Sequence, residues 1–121
     1  NGGMNATQLA WLRAKLAEVK AAGQRAIVFS HYPVWPENEH NLWNDTAVVP
    51  ILESAGCVAA YINGHNHAGN YAERNGIHYV TLHGMVDTPD TTAYAIAMLY
   101  PDRLEIHGEG REESRTLPLK S

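Results

Sequence analysis

Val58-Ala59-Ala60-Tyr61-Ile62, running into Asn63-Gly64-His65-Asn66-His67, is the stretch on which the reading of this chain turns. An apolar run that stops at a glycine and then delivers two histidines reads as a buried strand feeding a loop. Where the chain stays extended, residues i and i+2 point to the same side. His65 and His67 would then face one cavity while Asn66 faces away. Neutral imidazole is a ligand for zinc, copper, iron and nickel, and the pair suits one shared ion or two adjacent ions. Histidine-bearing surface loops are common, so the spacing alone does not make a metal site. A second half-site stands upstream, where Ser30-His31-Tyr32-Pro33 follows the apolar run Ala26-Ile27-Val28-Phe29. Taken alone, His31 equally fits a strand-end histidine bonded to a backbone carbonyl.

Before that first strand, Asn1-Gly2-Gly3 reads as a flexible entry. Asn5 or Thr7 then caps a helix, with Gln8 completing a capping box from Asn5. Leu9, Leu12, Leu16 and Val19 form its apolar stripe, and Gly23 ends it after about Ala22. Arg25 to Phe29 fits a strand covered on both faces. The loop from Ser30 to Asn44 is long, stiffened by Pro33 and Pro36, and carries Trp35 and Trp43. Those rings either stack on a base or sugar or pack the loop down. Asp45 or Thr46 caps a second helix that Gly56 ends, with Pro50 expected within about the first turn. Cys57 reads as an inert buried thiol.

After the histidine pair the pattern becomes antiparallel β. Asn75-Gly76 is a two-residue hairpin signal between Gly69–Arg74 and Ile77–His83. A second turn, Tyr100-Pro101-Asp102, separates Thr92–Leu99 from Arg103–His107, and Glu109 to Ser121 reads as a polar tail. His78 and His107 fit exposed or internally satisfied strand histidines. His83, at a strand end, is a candidate neighbour of the His65 cavity, and His40 is expected in solvent.

With 121 residues, 45% of them hydrophobic, the chain is one globular unit with a sizeable core. The formal charge is −4, from 9 basic and 13 acidic residues, which gives no electrostatic reason to expect a nucleic-acid partner. No run approaches the roughly 18 apolar residues of a membrane span. A single cysteine excludes an internal disulfide and fits a reducing compartment, so a cytoplasmic location is the expectation.

Ser30-His31-Tyr32-Pro33 and Asn63-Gly64-His65-Asn66-His67, each after a hydrophobic strand, resemble the last two motifs of the calcineurin-like metallophosphoesterases. So does the later strand Ile77-His78-Tyr79-Val80-Thr81-Leu82-His83-Gly84. Gly2-Gly3-Met4, Gln8-Leu9-Ala10-Trp11-Leu12, Asn41-Leu42-Trp43-Asn44, Gly69-Asn70-Tyr71 and Met85-Val86-Asp87-Thr88-Pro89 resemble its manganese-dependent ADP-ribose/CDP-alcohol diphosphatase branch.

The resemblance implies an α/β fold, half of a layered β-sandwich flanked by helices, in the order αβαβ followed by antiparallel β. It also implies that residues 1–121 are the C-terminal half of one phosphoesterase domain. The family's first-half motifs (Asp-x-His, Gly-Asp and Gly-Asn-His) are not in this sequence. Its aspartates are Asp45, Asp87, Asp90 and Asp102, none in such a setting. By the same resemblance His31 and His65 would ligate one metal and His67 the other, with Trp35, Trp43, Asn66 and His83 near the substrate or behind the ligands. The general acid would lie in the other half. The implied cofactors are two divalent ions, manganese first and iron or zinc as alternatives. The implied partners are a nucleotide-type phosphate substrate and either the missing half or a second copy of the chain. A non-catalytic metal-binding or interaction module derived from such an enzyme is the competing expectation.

Overall fold

The computed structural model describes residues 2–120, so Asn1 and Ser121, the outer ends of the expected entry and tail, lie outside it. Helix α1 (Ala6–Ala21) begins with the expected capping box: Asn5 Oδ1 accepts from the Gln8 N–H, and Gln8 Oε1 accepts from the Asn5 N–H. Leu12 and Leu16 are buried, and Leu9 and Val19 pack partly buried beside them. Gly2 and Met4 are tied in: the Gly2 carbonyl accepts from the Trp43 N–H, and the Asn44 side chain bonds both the N–H and the carbonyl of Met4.

Helix α2 (Asp45–Ala55) departs from expectation at its start. Its N-cap is Asn44, which makes no side-chain cap bond because that side chain is committed to Met4. Asp45 instead accepts from Asn41 Nδ2 at 3.0 Å and places a carboxylate in the first turn, where the helix dipole favours it. Pro50 lies in the second turn rather than the first, so the helix forgoes one internal hydrogen bond there. Gly56, with φ +76°, ends it as expected.

Strands β1 (Ala26–Phe29), β2 (Val58–Asn63), β3 (Asn70–Arg74) and β4 (Ile77–Thr81) form one sheet in the order β1-β2-β4-β3. The Asn75-Gly76 turn, with φ +49° and +78°, joins β3 and β4 as an antiparallel hairpin. β4, however, lies parallel to β2, just as β1 does. The second half is therefore not simply antiparallel. β1 is partly covered on both faces, with Ala26 and Val28 on the helix side and Ile27 toward the second sheet, but it sits at the sheet edge and Phe29 is 70% exposed. A second, antiparallel sheet contains β5 (Ala93–Leu99), β6 (Arg103–Gly110) and β7 (Arg115–Pro118) in that order. β7 replaces part of the expected polar tail.

The result is three layers. One face of the first sheet, with Tyr61, Ile77 and Tyr79, packs under α1 and α2. The other face, with Ala60, Ile62 and Val80, meets Leu104, Ile106 and Leu117 of the second sheet. Cys57 is a buried free thiol. His78 is buried between the sheets, its ring nitrogens bonded to Tyr71 Oη (2.8 Å) and to the Pro118 carbonyl (2.6 Å). His107 is exposed beside Glu105. Both fit the satisfied or exposed alternatives that the sequence left open. Among the described residues no helix is long and apolar enough to cross a membrane.

Leu104 is fully buried between the sheets, whereas Met98 projects from β5 with 43% exposure. Leu104→Ala should cost about 2–5 kcal/mol in equilibrium denaturation. Met98→Ala should stay within about 0.5 kcal/mol.

Candidate metal centre

The C-terminal ends of β1, β2 and β4 lie side by side, because the three strands run parallel. Three loops leave from there, and ligand sites of open parallel sheets sit at this edge. Hydrogen bonds extend the ladder past the strand ends. The Ser30 N–H donates to the Ile62 carbonyl, the Gly64 N–H to the His31 carbonyl, and the Leu82 N–H to the Asn63 carbonyl. Between β2 and β4, Thr81 Oγ1 also donates to Asn63 Oδ1 at 3.1 Å.

The Gly64–His31 bond brings the two histidine loops together. His65 has φ +64°, a left-handed conformation that costs a non-glycine residue of order 1 kcal/mol. This overturns the premise that the segment stays extended. His65 turns toward His31, and their Nδ1 and Nε2 atoms stand 3.3 Å apart. The Tyr32 ring packs edge-on against both, at 4.9 Å from His31 and 4.5 Å from His65. His40 keeps 43% of its side chain in solvent, as expected, and also stands 5.6 Å from the His65 ring, which was not expected. Only long-range folding of the Ser30–Asn44 loop shows this, since nothing near His40 in sequence marks it. Desolvation, then the positive potential of His31 and His40, lowers the His65 pKa below the ordinary histidine value. The ring is thereby biased toward the neutral form that binds metal.

His67 takes a different direction. Its Nδ1 meets Asp87 Oδ1 at 2.7 Å, in the loop after β4. Asn66 is occupied in the turn, its carbonyl accepting from the Gly69 N–H and its Oδ1 from the Ala68 N–H. His83 faces Glu112, whose buried carboxylate accepts from the His83 N–H (2.7 Å) and contacts its Nδ1 (3.0 Å). Glu112 belongs to the segment read as a polar tail, so sequence gave no hint of it. Trp35 packs on the helix-side core with the Arg74 guanidinium 4.3 Å over its ring. Trp43 is 76% exposed.

Two imidazole nitrogens on one ion at about 2.0–2.1 Å stand roughly 3–3.4 Å apart. The His31–His65 separation matches that spacing. The same separation also suits a ring N–H donating to the other ring's bare nitrogen. Among the described residues no group of three or more His, Cys, Asp or Glu side chains is arranged to hold an ion. The chain thus fits the expected metal as a pair of donors and a separate third histidine, not as a finished site.

The architecture defines a class, the calcineurin-like phosphoesterase fold. It superposes on a dimetal phosphatase from Danio rerio with TM-score 0.94 and 37% identity, over 99% of this chain and 40% of that one. The resemblance to the manganese-dependent ADP-ribose/CDP-alcohol diphosphatases is borne out in sequence. Identity to the proteins of that name is 35% in Xenopus laevis over 97% of this chain, and 32% in Homo sapiens over 99%. The chain spans about a third of the length of these relatives, 34% and 36%. No protein-family model matches it.

Tyr61 Oη donates to the Tyr32 carbonyl at 2.7 Å and so holds the loop next to His31. Tyr61→Phe should lower stability by about 1 kcal/mol. Burial pushes the Tyr61 pKa up from 10.0 to about 12. The stability gained by keeping it neutral is therefore complete below pH 10.0 and lost as pH rises through about 12. Denaturation of both proteins between these pH values should show a steeper alkaline fall in wild type than in Tyr61→Phe.

Proposed function

We propose that this chain is the histidine-bearing part of a metal-dependent phosphohydrolase that cleaves a phosphoanhydride or phosphodiester in a nucleotide such as ADP-ribose or a CDP-alcohol. The observation that carries the reading is the His31–His65 pair, 3.3 Å between nitrogens at the carboxyl edge of a parallel sheet. The names of its relatives supply the substrate class and the metal. His31 and His65 would hold one divalent ion and His67 a second. Manganese is the ion we assign, and the same imidazoles accept iron or zinc. Such ions polarise the phosphoryl oxygen and provide a nucleophile from water at neutral pH. The chain's own contribution is to hold the ring nitrogens in place, with His65 seated by the Tyr32 packing and its lowered pKa favouring the neutral form.

The remaining ligands and the general acid belong, in this reading, to the rest of one phosphoesterase domain. The surface supports a missing covering. β5 is an edge strand with Tyr94, Ile96, Met98 and Leu99 exposed, and β1 is an edge with Phe29 exposed. Unpaired edges with apolar side chains favour association, so the natural cover is the remainder of the domain or a second copy. A non-catalytic metal-binding or interaction module is the second reading. It is favoured by the lack, among the described residues, of any cluster of three or more metal-binding side chains.

The two readings separate in one assay. Residues 1–121 with manganese should leave ADP-ribose intact, and adding the rest of a phosphoesterase domain should restore hydrolysis that His31→Ala and His65→Ala each remove. No turnover in the complemented mixture would establish the module, and turnover by the chain alone would overturn the division of labour. Between the tryptophans, we assign contact with a base to Trp43, on its 76% exposure. In the complemented enzyme Trp43→Ala should raise KM for a nucleotide more than for a simple phosphate ester. Trp35→Ala should chiefly lower the melting temperature.

A further inference from the structure

The loop that follows β4 carries a feature that the histidine motifs do not explain. Asp87 Oδ1 lies 2.7 Å from His67 Nδ1, with the two side chains 40% and 53% exposed. A contact this exposed adds little stability, so its geometry asks for another reason. A carboxylate only accepts, so the shared proton belongs to His67 Nδ1, and in the neutral ring, the form that binds a metal, Nε2 is the bare nitrogen.

The rest of the loop keeps this arrangement in place. The Gly84 N–H donates to the His67 carbonyl at 3.0 Å. The His67 ring also lies so close over Gly84 that a side-chain carbon there would come within 2.5 Å of its Cγ. Arg111, at the end of β6, straps the loop at both ends. Its guanidinium donates to the Gly84 carbonyl (2.7 Å) and to Thr91 Oγ1 (3.1 Å), and its backbone N–H donates to the Thr92 carbonyl (2.8 Å).

We propose that Asp87 is a positioning residue for His67, fixing the tautomer in which Nε2 is the metal donor, and that Arg111 holds the Asp87 loop for that purpose. This rests on the reading of His67 as a ligand. Carboxylates behind metal-bound histidines orient the ring and raise its basicity, and their loss costs about 10- to 100-fold in metal affinity.

The test reads the tautomer in the metal-free chain and the zinc affinity in the chain complemented with the rest of a phosphoesterase domain, where His67 has its fellow ligands. Long-range proton–nitrogen NMR of the imidazoles should show His67 protonated on Nδ1 in wild type and shifted toward Nε2 in Asp87→Ala. Zinc affinity by calorimetry should fall about 10- to 100-fold in Asp87→Ala and recover largely in Asp87→Glu, with the melting temperature little changed. Asp87→Ser serves the same comparison should the alanine variant not fold. A wild-type tautomer and affinity in Asp87→Ala would overturn the proposal. Affinity that depends on His67 but not on Asp87 would overturn it alone. Affinity indifferent to His67→Ala would remove the ligand reading together with it.

Discussion

The parallel pairing of β2 with both β1 and β4 is the constraint on which the candidate site depends. Parallel strands end at the same edge, so the loops bearing His31, His65, His67 and Asp87 leave the sheet together. The bond from the Gly64 N–H to the His31 carbonyl then sets the approach of the first two loops to within hydrogen-bond length. If β4 ran antiparallel beside β2, the Asp87 loop would emerge at the far end of the molecule. Core packing serves this arrangement on both faces: the helices cover one side, and Leu104, Ile106 and Leu117 cover the other.

The two sheets are joined at both ends. At the site end, Arg111 and Glu112 of the second sheet's β6–β7 connection hold the loop after β4 and the His83 backbone. At the opposite end, Arg25 donates to the Pro101 and Lys120 carbonyls, each at 2.6 Å. A segment that carries none of the candidate ligands thereby fixes the walls of the site.

Local signals made much of this legible. The capping box at Asn5, the left-handed glycine after α2 and the Asn75-Gly76 turn are decided by residues a few positions apart, and each is where the sequence puts it. The histidine pair was legible because each member closes an apolar run. What failed depends on distant partners. β7 has one buried residue, Leu117, so its alternation is too weak to read without β6 beside it. The parallel register of β4 is hidden because its hairpin with β3 is locally complete. His40 carries no local mark, and Asp87 stands out only as part of the Met85–Pro89 resemblance, with nothing nearby to pair it with His67. The expectation of an extended segment at His65 gave way to its left-handed turn, which swings one ring to His31 while His67 turns to Asp87.

That left-handed residue sets two demands against each other at one position. Its backbone favours glycine, or a short polar residue such as asparagine, whereas its ring is what meets His31. Under the proposed function residue 65 is therefore a frustrated site, where selection for a sturdier fold and selection for metal chemistry pull toward different amino acids. A lineage freed from the chemistry would be expected to drift there first, so the identity of residue 65 serves as a record of whether the centre is still in use.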